Sequence, residues 1–242
     1  MMRLALMTAC LSTGLVASFS SSSSANSAIP AVAFTENFNT TANWSITSGV
    51  VTAPTLVPTN GPDGSSFISR EASAFGAPDL IPRVPVVLFR AQDGFASSGH
   101  QFENNWISGG LNQVSMYVRH NASVALPFFV RFTPPAGTPG VNFETGSLLA
   151  ASPNWTKLTF DISPSSPYFT PEGPPSLFGT VMSDVGRMQI GFTVPVGFGA
   201  DPNNYTYDVD LVASNIPEPA SWLLLLSGTM FGWARRQRRP AR

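Results

Sequence analysis

The chain has 242 residues, with 13 basic and 14 acidic side chains and a formal net charge of −1. Between residues 34 and 215, seven basic residues are outnumbered by thirteen acidic ones, a net charge of −6 that argues against a nucleic acid as a partner. The single cysteine, Cys10, lies so near the N-terminus that a chain processed after it has no disulfide, no thiolate metal site and no cysteine nucleophile.

The N-terminal segment is typical of a secretory signal. Arg3 supplies the positive start, and an uncharged stretch of apolar and small residues follows it. We expect a signal helix within residues 1–33, with cleavage after Ala28 or Ala33, where small residues suit the peptidase. Two alternatives stay open. One is a retained membrane anchor, for which the apolar stretch is short, and the other is lipid attachment at Cys10, which the apolar stretch runs past.

Residues 34–215 are predicted to form an antiparallel β-sandwich. Charge is sparse there, Ser, Thr, Asn, Gly and Pro are plentiful, and short segments alternate between apolar and polar residues, as strands with one buried face do. Neither an internal repeat nor a convincing helix is found before Ile216. The expected strands are Phe34–Phe38, Val50–Val57, Val84–Arg90, Val114–Arg119, Leu126–Phe132, Leu158–Ile162, Met188–Val194 and Tyr205–Leu211. The fold class that follows is all-β.

The order of these segments resembles the galactose-binding-like jelly rolls found among carbohydrate-binding modules. The segments that carry the resemblance are Phe34–Phe38 followed by Trp44, Val114–His120, Trp155–Phe160 and Tyr205–Leu211. They span most of residues 34–215. The resemblance implies a jelly-roll sandwich and favours carbohydrate binding.

Acidic residues on the first and last expected strands form a candidate metal site. Glu36 shares a face with Phe34 and Phe38, so its charge needs a partner or a metal if that face is buried. Asp208 and Asp210 share the polar face of the last strand. Jelly rolls of the resembled kind often hold a structural calcium ion between these two strands. We therefore expect either calcium at these three acids or acids that are solvated or paired with arginine, and no other cofactor.

A second candidate site is a polar face in the middle of the body. Tyr117 and Arg119 alternate with one set of apolar residues, and Phe129 and Arg131 with another. The four side chains would lie together if their two strands pair. Rings beside guanidinium groups suit sugars, through stacking and through hydrogen bonds to hydroxyls, although they also suit ordinary cross-strand pairs.

Trp106 is predicted to be the exposed aromatic residue of the body. It lies in the Gly- and Asn-rich segment 104–110, where an exposed indole could stack on a sugar. Trp44 and Trp155 are expected in the core or at its rim. The candidate ligand-binding residues are therefore Trp106, Tyr117, Arg119 and Arg131.

No catalytic set is recognisable in the body. His100 and His120 are the only histidines, and neither belongs to a Ser-His-Asp order, a metal-binding pair of histidines or a phosphate loop. His120 ends a strand and is expected at the surface or in a turn. Nothing singles out two of the acidic residues as a glycosidase pair. We therefore expect that the body is not an enzyme.

The C-terminal segment combines three unlike features in order. Pro217-Glu218-Pro219-Ala220 opens it, and the prolines keep the entry extended for a processing enzyme. The apolar run 220–234 would be about 22 Å long as a helix, short of a hydrocarbon core of about 30 Å. Its anchor residues are Trp222, Leu223, Leu224, Leu225, Leu226, Phe231 and Trp233, and the basic stop is Arg235, Arg236, Arg238 and Arg239. The arginines place the body outside the inner membrane.

This arrangement, in residues 216–242, resembles the PEP-CTERM sorting domain of Gram-negative bacteria. The resemblance implies recognition by an exosortase-type membrane transpeptidase, removal of the helix and basic tail, and transfer of the body to the cell surface or extracellular matrix. A permanent short tail anchor is the alternative. Three functions then remain for the body, in this order: a structural or exopolysaccharide-associated protein, a carbohydrate-binding module, and a glycan-active enzyme.

Overall fold

The computed structural model describes residues 29–76 and 85–215. The strands within them are β1 (Phe34–Glu36), β2 (Thr55–Val57), β3 (Phe67–Ala72), β4 (Pro85–Gln92), β5 (Gln113–His120), β6 (Phe128–Thr133), β7 (Val141–Glu144), β8 (Ser152–Asp161), β9 (Phe169–Pro171), β10 (Arg187–Thr193) and β11 (Tyr205–Asn215). Two short helices are α1 (Trp106–Gly109) and α2 (Leu177–Met182). A separately folding domain at residues 34–215 stays a prediction.

The strands form two sheets. The six-stranded sheet has the order β2-β3-β11-β5-β8, with β1 also paired to β11, and the five-stranded sheet has the order β4-β10-β6-β7-β9. The strand pairs are antiparallel in both sheets. The predicted all-β fold with an antiparallel sandwich is therefore confirmed, and the first and last strands are neighbours, as the resemblance implies.

Period-two alternation places one face of each central strand in the core between the sheets. Val114, Met116 and Val118 of β5 are fully buried, whereas Tyr117 and Arg119 are half-buried on the outer face. The core-facing residues of β6 and β10 are Phe128, Val130, Phe132, Met188, Ile190 and Phe192. Burial of each large apolar side chain contributes about 1.5–3 kcal/mol. The apolar residues of each strand therefore face the core, and the residues that alternate with them face the outer surfaces.

The structure departs from the prediction where alternation is weak. Val50 and Val51 are exposed, and β2 is confined to the end of the expected strand. Leu126 precedes β6 and forms an isolated bridge with Leu149 instead of continuing the strand. The alternation does not predict β3, β7 or β9, nor the helices α1 and α2. These elements are short, and their strand partners or packing, not their own pattern, define them.

The predicted end segments fall largely outside the structure. Residues 1–28, which hold most of the expected signal, and residues 216–242, which hold the expected sorting segment, lie outside the described residues. Within residues 29–76 and 85–215, no helix has the length and apolar character that crossing a membrane requires. The expected transmembrane helix at 220–234 therefore stays a prediction.

Candidate binding faces

A row of polar side chains crosses the outer face of the five-stranded sheet, one from each strand. This polar row consists of Arg90, Gln189, Arg131, Asn142 and Thr170, and each residue is directly opposite the next. Directly opposite residues in an antiparallel pair point to the same face. Because Met188 and Ile190, on either side of Gln189, are in the core, the polar row faces outwards.

Arg131 holds the centre of the polar row in one geometry. Its Nη2 donates to Oε2 of Glu172 at 2.7 Å, its Nε donates to Oε1 of the same carboxylate, and its Nη1 donates to Oε1 of Gln189 at 2.8 Å. The backbone N–H of Gly140 also donates to Glu172 Oε2, at 2.7 Å. These hydrogen bonds, the one from Arg131 foremost, lower the pKa of Glu172 below its ordinary value, so the carboxylate stays ionised and oriented.

A groove of about 450 Å³ lies over this part of the sheet. The residues that line it are Pro85, Phe129, Asn142, Glu144, Thr170, Pro171, Glu172 and Thr193. Phe129 lies beneath it and is only 1% exposed; its ring lies so close to Gly191 that a Cβ atom there would be 2.7 Å away. Thr193 Oγ1 donates to Glu144 Oε1 at 2.6 Å. The groove thus combines apolar surface from Pro85 and Pro171 with hydroxyl, amide and carboxylate groups.

The outer face of the six-stranded sheet uses its central arginine differently. Arg119 Nε donates to Asp208 Oδ2 at 2.7 Å. Its guanidinium carbon lies 4.5 Å from the ring centroid of Trp155 and 4.8 Å from that of Phe67. Trp155 is itself fixed, because its Nε1 donates to the carbonyl of Asn60 at 2.9 Å. Arg119 is therefore held by one ion pair and two cation–π contacts.

His120 lies at the inner side of this sheet, where a cavity of about 490 Å³ opens beside Arg119. The expectation of a surface histidine is wrong, because His120 is 3% exposed. Its Nδ1 accepts from the N–H of Ala122 at 3.2 Å and its Nε2 donates to the carbonyl of Leu149 at 3.0 Å, which requires the neutral ring. Burial lowers the pKa of His120 accordingly.

The predicted common face of Tyr117, Arg119, Phe129 and Arg131 is wrong. Strand β5, which carries the first two, pairs with β11 and β8, whereas β6, which carries the other two, pairs with β10 and β7. The connection between β5 and β6 crosses from one sheet to the other. The two arginines consequently lie on opposite outer surfaces of the sandwich.

The predicted exposure of Trp106 is also wrong. Trp106 is fully buried at the start of α1, with its ring centroid 4.7 Å from that of Phe132. Its Nε1 donates to the carbonyl of Phe102 at 3.3 Å. Asn105 caps the helix by accepting from the N–H of Ser108 at 2.8 Å, so the polar loop residues form a turn that directs the indole into the core.

The three acids of the predicted calcium site separate into two environments. Asp208 is bonded to Arg119 and has a cationic partner. Glu36 and Asp210 are 8% and 0% exposed, and neither has a salt bridge within the described residues. Burial raises the pKa of Asp210 to about 6, and the charge of Glu36 contributes. A Cβ at Gly61 would lie 2.6 Å from Asp210 Oδ2.

This environment fits a hard cation with oxygen ligands at Glu36 and Asp210 but not at Asp208. Asp210 Oδ2 accepts from Ser65 Oγ at 3.0 Å, and Glu36 Oε1 accepts from the N–H of Phe38 at 2.9 Å, so both carboxylates are ordered. A calcium ion there would be held by Glu36 and Asp210 and would supply the positive charge that the two buried acids lack. Calcium at these two residues stays a prediction.

Sequence reasoning missed most of the groove. Gln189 and Thr193 alternate with core residues of a correctly expected strand, so their outward position was available from the pattern. Asn142 and Thr170 belong to strands that alternation does not predict, and Glu172 follows β9. Only the sheet order brings these residues beside Arg131.

Solved structures of similar fold share little sequence with the chain. The family 11 carbohydrate-binding module from Clostridium thermocellum, in complex with a β-1,3-1,4-mixed-linked tetrasaccharide, has 12% identity and a TM-score of 0.43 over 76% of this chain and 96% of that one. The CBM22-1–GH10 modules of a C. thermocellum endo-1,4-β-D-xylanase, complexed with xylohexaose, have 14% identity and a TM-score of 0.41 over 78% of this chain and 30% of that one. The L4b domain of human laminin α-2 has 9% identity and a TM-score of 0.35 over 63% of this chain and 99% of that one. These similarities concern the fold.

A match to a known sequence family lies at the C-terminal end of the chain. No characterised protein matches the chain by sequence. Residues 215–239 match the family model of a protein-sorting motif, and the matched range contains Pro217-Glu218-Pro219, the apolar run and the four arginines of the basic stop. The resemblance drawn from residues 216–242 is confirmed. The chain therefore carries a PEP-CTERM protein-sorting motif, which is a substrate signal for exosortase-type processing of exported proteins.

Proposed function

We propose that this chain is sorted through its C-terminal motif to the cell surface or extracellular matrix, where its sandwich binds extracellular polysaccharide without catalysing a reaction. The observation that carries the binding proposal is the groove of the five-stranded sheet, which is lined by Asn142 and Thr170 of the polar row and by Glu172. Polysaccharides present many hydroxyl groups and ring faces of low polarity. A groove with apolar surface from two prolines and with oriented amide, hydroxyl and carboxylate groups is complementary to such a ligand.

Two members of the polar row, Asn142 and Thr170, line the groove and are the ones that a ligand can reach. Asn142 and Thr170 offer an amide and a hydroxyl, and Glu172 offers an ionised carboxylate held in place by Arg131. Such groups donate to and accept from sugar hydroxyls without a change of protonation.

The same groove argues against glycoside hydrolysis. A glycosidase needs one carboxyl group with a raised pKa to act as an acid. The pKa of Glu172 is lowered instead, because Arg131 and the N–H of Gly140 donate to its carboxylate. Glu172 therefore suits binding better than acid catalysis.

The binding proposal is tested with the full chain, purified in detergent, on an array of bacterial exopolysaccharides and soluble glucans. Asn142→Ala with Thr170→Ala should weaken binding of every positive glycan at least about fivefold, because two hydrogen bonds are worth about 1–3 kcal/mol. The matched control is Asn154→Ala with Thr159→Ala, the same residue types exposed on β8 of the other sheet. Equal loss in both pairs contradicts the proposed face. Binding to no glycan at all leaves a purely structural role in the matrix.

The sorting proposal is tested in a host that has an exosortase. The mature surface fraction should lack residues 222–242, and Glu218→Ala should leave a larger, membrane-held precursor, because the enzyme loses the acidic side chain between two prolines. Ser221→Ala, outside the Pro-Glu-Pro sequence, is the control and should be processed normally. Mass spectrometry of the surface fraction measures the outcome. An intact C-terminus ending at Arg242 in that fraction means that the segment is only an anchor.

A further inference from the structure

A histidine and two carboxylates converge in the loop between β4 and α1. His100 Nδ1 lies 2.7 Å from Glu103 Oε2 and 3.3 Å from Asp93 Oδ1. The three ligand atoms are all within 4.8 Å of one another, and no other group of three or more such side chains does this in the part of the chain that the structure describes. The loop begins at the far end of β4 from Pro85, about 23 Å along the strand. The cluster is therefore separate from the groove.

Glu103 is the buried member of the cluster and has unused bonding capacity. The residue is 4% exposed, and its carboxylate is directed at His100 through Oε2. Its second oxygen, Oε1, is buried and has no hydrogen-bond partner among the described residues. Buried polar atoms are normally paired, and an unpaired buried carboxylate oxygen is costly. The side chains of His100 and Asp93 are 49% and 55% exposed, so the cluster is open to solvent on one side.

We propose that Asp93, His100 and Glu103 bind a divalent transition-metal ion of the zinc type. Zinc takes imidazole nitrogen and carboxylate oxygen at about 2.0–2.2 Å, and four tetrahedral ligands at that distance lie about 3.3 Å apart. The pair His100–Asp93 already has this separation, and the pair His100–Glu103 needs only a small opening. Water completes the coordination from the open side. Calcium prefers six to eight oxygen ligands, so this site selects a different ion from the one expected at Glu36 and Asp210.

The ion would stabilise the loop that runs from residue 93 to residue 104, whose two ends both form hydrogen bonds with residues 185–186. The N–H of Asp93 donates to the carbonyl of Gly186 at 2.9 Å, and the N–H of Asn104 donates to the carbonyl of Val185 at 2.9 Å. This segment leads directly into β10, the strand that carries Gln189. A metal at residues 93, 100 and 103 would therefore stabilise the loop at one end of the five-stranded sheet without touching the groove.

Calorimetric titration of ZnCl₂ into the full chain, purified in detergent without a histidine tag, tests this proposal. We expect one ion per chain, and His100→Asn and Glu103→Gln should each weaken zinc binding at least tenfold. Asp184→Asn is the matched control, since it removes an exposed acid from the neighbouring segment and should leave the affinity unchanged. Bound Co²⁺ should give visible absorption bands that shift in His100→Asn.

Folding is checked independently of the metal. All variants should melt at nearly the temperature of the unaltered chain in the presence of chelator, because His100 is half exposed and Glu103→Gln preserves the side-chain volume. Zinc should then raise the melting temperature of the unaltered chain and of Asp184→Asn only. Absence of zinc binding, or equal affinity in His100→Asn, overturns the proposal and leaves the cluster as an ion pair between imidazolium and carboxylates.

Discussion

The two outer faces of the sandwich use a central arginine for different purposes. On the six-stranded sheet, Arg119 is bonded to Asp208 and lies against the rings of Trp155 and Phe67, so its partners are a carboxylate and two aromatic rings of the same sheet. On the five-stranded sheet, Arg131 also has a carboxylate partner, but that carboxylate lines a groove beside amide and hydroxyl groups. An outward arginine on a strand is therefore no indication of a binding face by itself. The residues beside it on the neighbouring strands determine whether that face can bind a ligand.

From this contrast we expect the six-stranded sheet to contribute mainly to stability and the five-stranded sheet to bind the ligand. The six-stranded sheet contains the Arg119 ion pair, the buried His120 and the acids Glu36 and Asp210. Changes there should alter the free energy of unfolding and leave glycan affinity intact. Changes in the polar row should lower glycan affinity.

The largest effect is expected from Arg119→Met. The substitution leaves Asp208 without its cation, and Asp208 Oδ1 is already buried without a partner, so the free energy of unfolding should fall by about 3 kcal/mol. Urea unfolding measures the change. Lys157→Met, on the exposed surface of neighbouring β8, is the control and should change stability by less than about 0.5 kcal/mol. Similar free energies of unfolding for both variants would contradict the stabilising role of Arg119 on the six-stranded sheet.

Calcium removal should also act on the six-stranded sheet alone. At a free calcium concentration one hundred times the dissociation constant, binding at Glu36 and Asp210 stabilises the fold by about 2.7 kcal/mol. The melting temperature should therefore fall when a calcium-selective chelator is added, while glycan affinity measured below that temperature stays constant. Asp210→Asn should make the melting temperature insensitive to chelator. A melting temperature unaffected by chelator in the unaltered chain removes the site.

Arg131→Lys tests whether the orientation of Glu172 in the groove matters for glycan binding. Lysine keeps the positive charge but cannot make the two parallel hydrogen bonds that orient Glu172. Glycan affinity should fall about tenfold, equivalent to about 1.4 kcal/mol, as should that of Arg131→Met. Arg119→Met, assayed at a temperature where it is folded, should bind normally. Full affinity in both Arg131 variants would show that the orientation of Glu172 is irrelevant to binding.

The smallest effect concerns the pH dependence of stability. The pKa of His120 is lowered by burial, so the unfolded chain takes up a proton near pH 6.5 while the folded chain does not. Stability should consequently decrease as the pH falls below about 6.5, because protonation favours the unfolded state. Taking the difference between the unaltered chain and His120→Gln cancels the other groups that titrate in both. A difference that does not change between pH 7.5 and pH 5 contradicts the neutral, buried state of His120.

The sequence could predict the fold better than the site. Alternation in β5, β6, β10 and β11 is strong because one face of each strand packs in the core, and this is enough for an antiparallel sandwich. It gives no information on which strands are neighbours. Tyr117 and Phe129 were therefore expected together, although their strands belong to different sheets.

The misplacement of Trp106 has a related cause. Asn and Gly around it suggest an exposed loop, but the same residues cap and end a single helical turn whose apolar side chain packs inwards. Glu172 could not be found either, because it belongs to no alternating pattern and only the pairing of β9 with β7 brings it to Arg131. The sorting motif was predictable since its three parts are contiguous in the chain.

The most direct test of the account is a crystal structure of the protein bound to an oligosaccharide of the glycan that it binds best on the array. The account predicts that the sugar lies along the groove of the five-stranded sheet, with hydrogen bonds to Asn142, Thr170 and Glu172. Arg119 and Trp155 should keep the positions that they have without ligand. A sugar bound instead in the cavity beside Arg119, or anywhere on the six-stranded sheet, would contradict the assignment of binding to the five-stranded face.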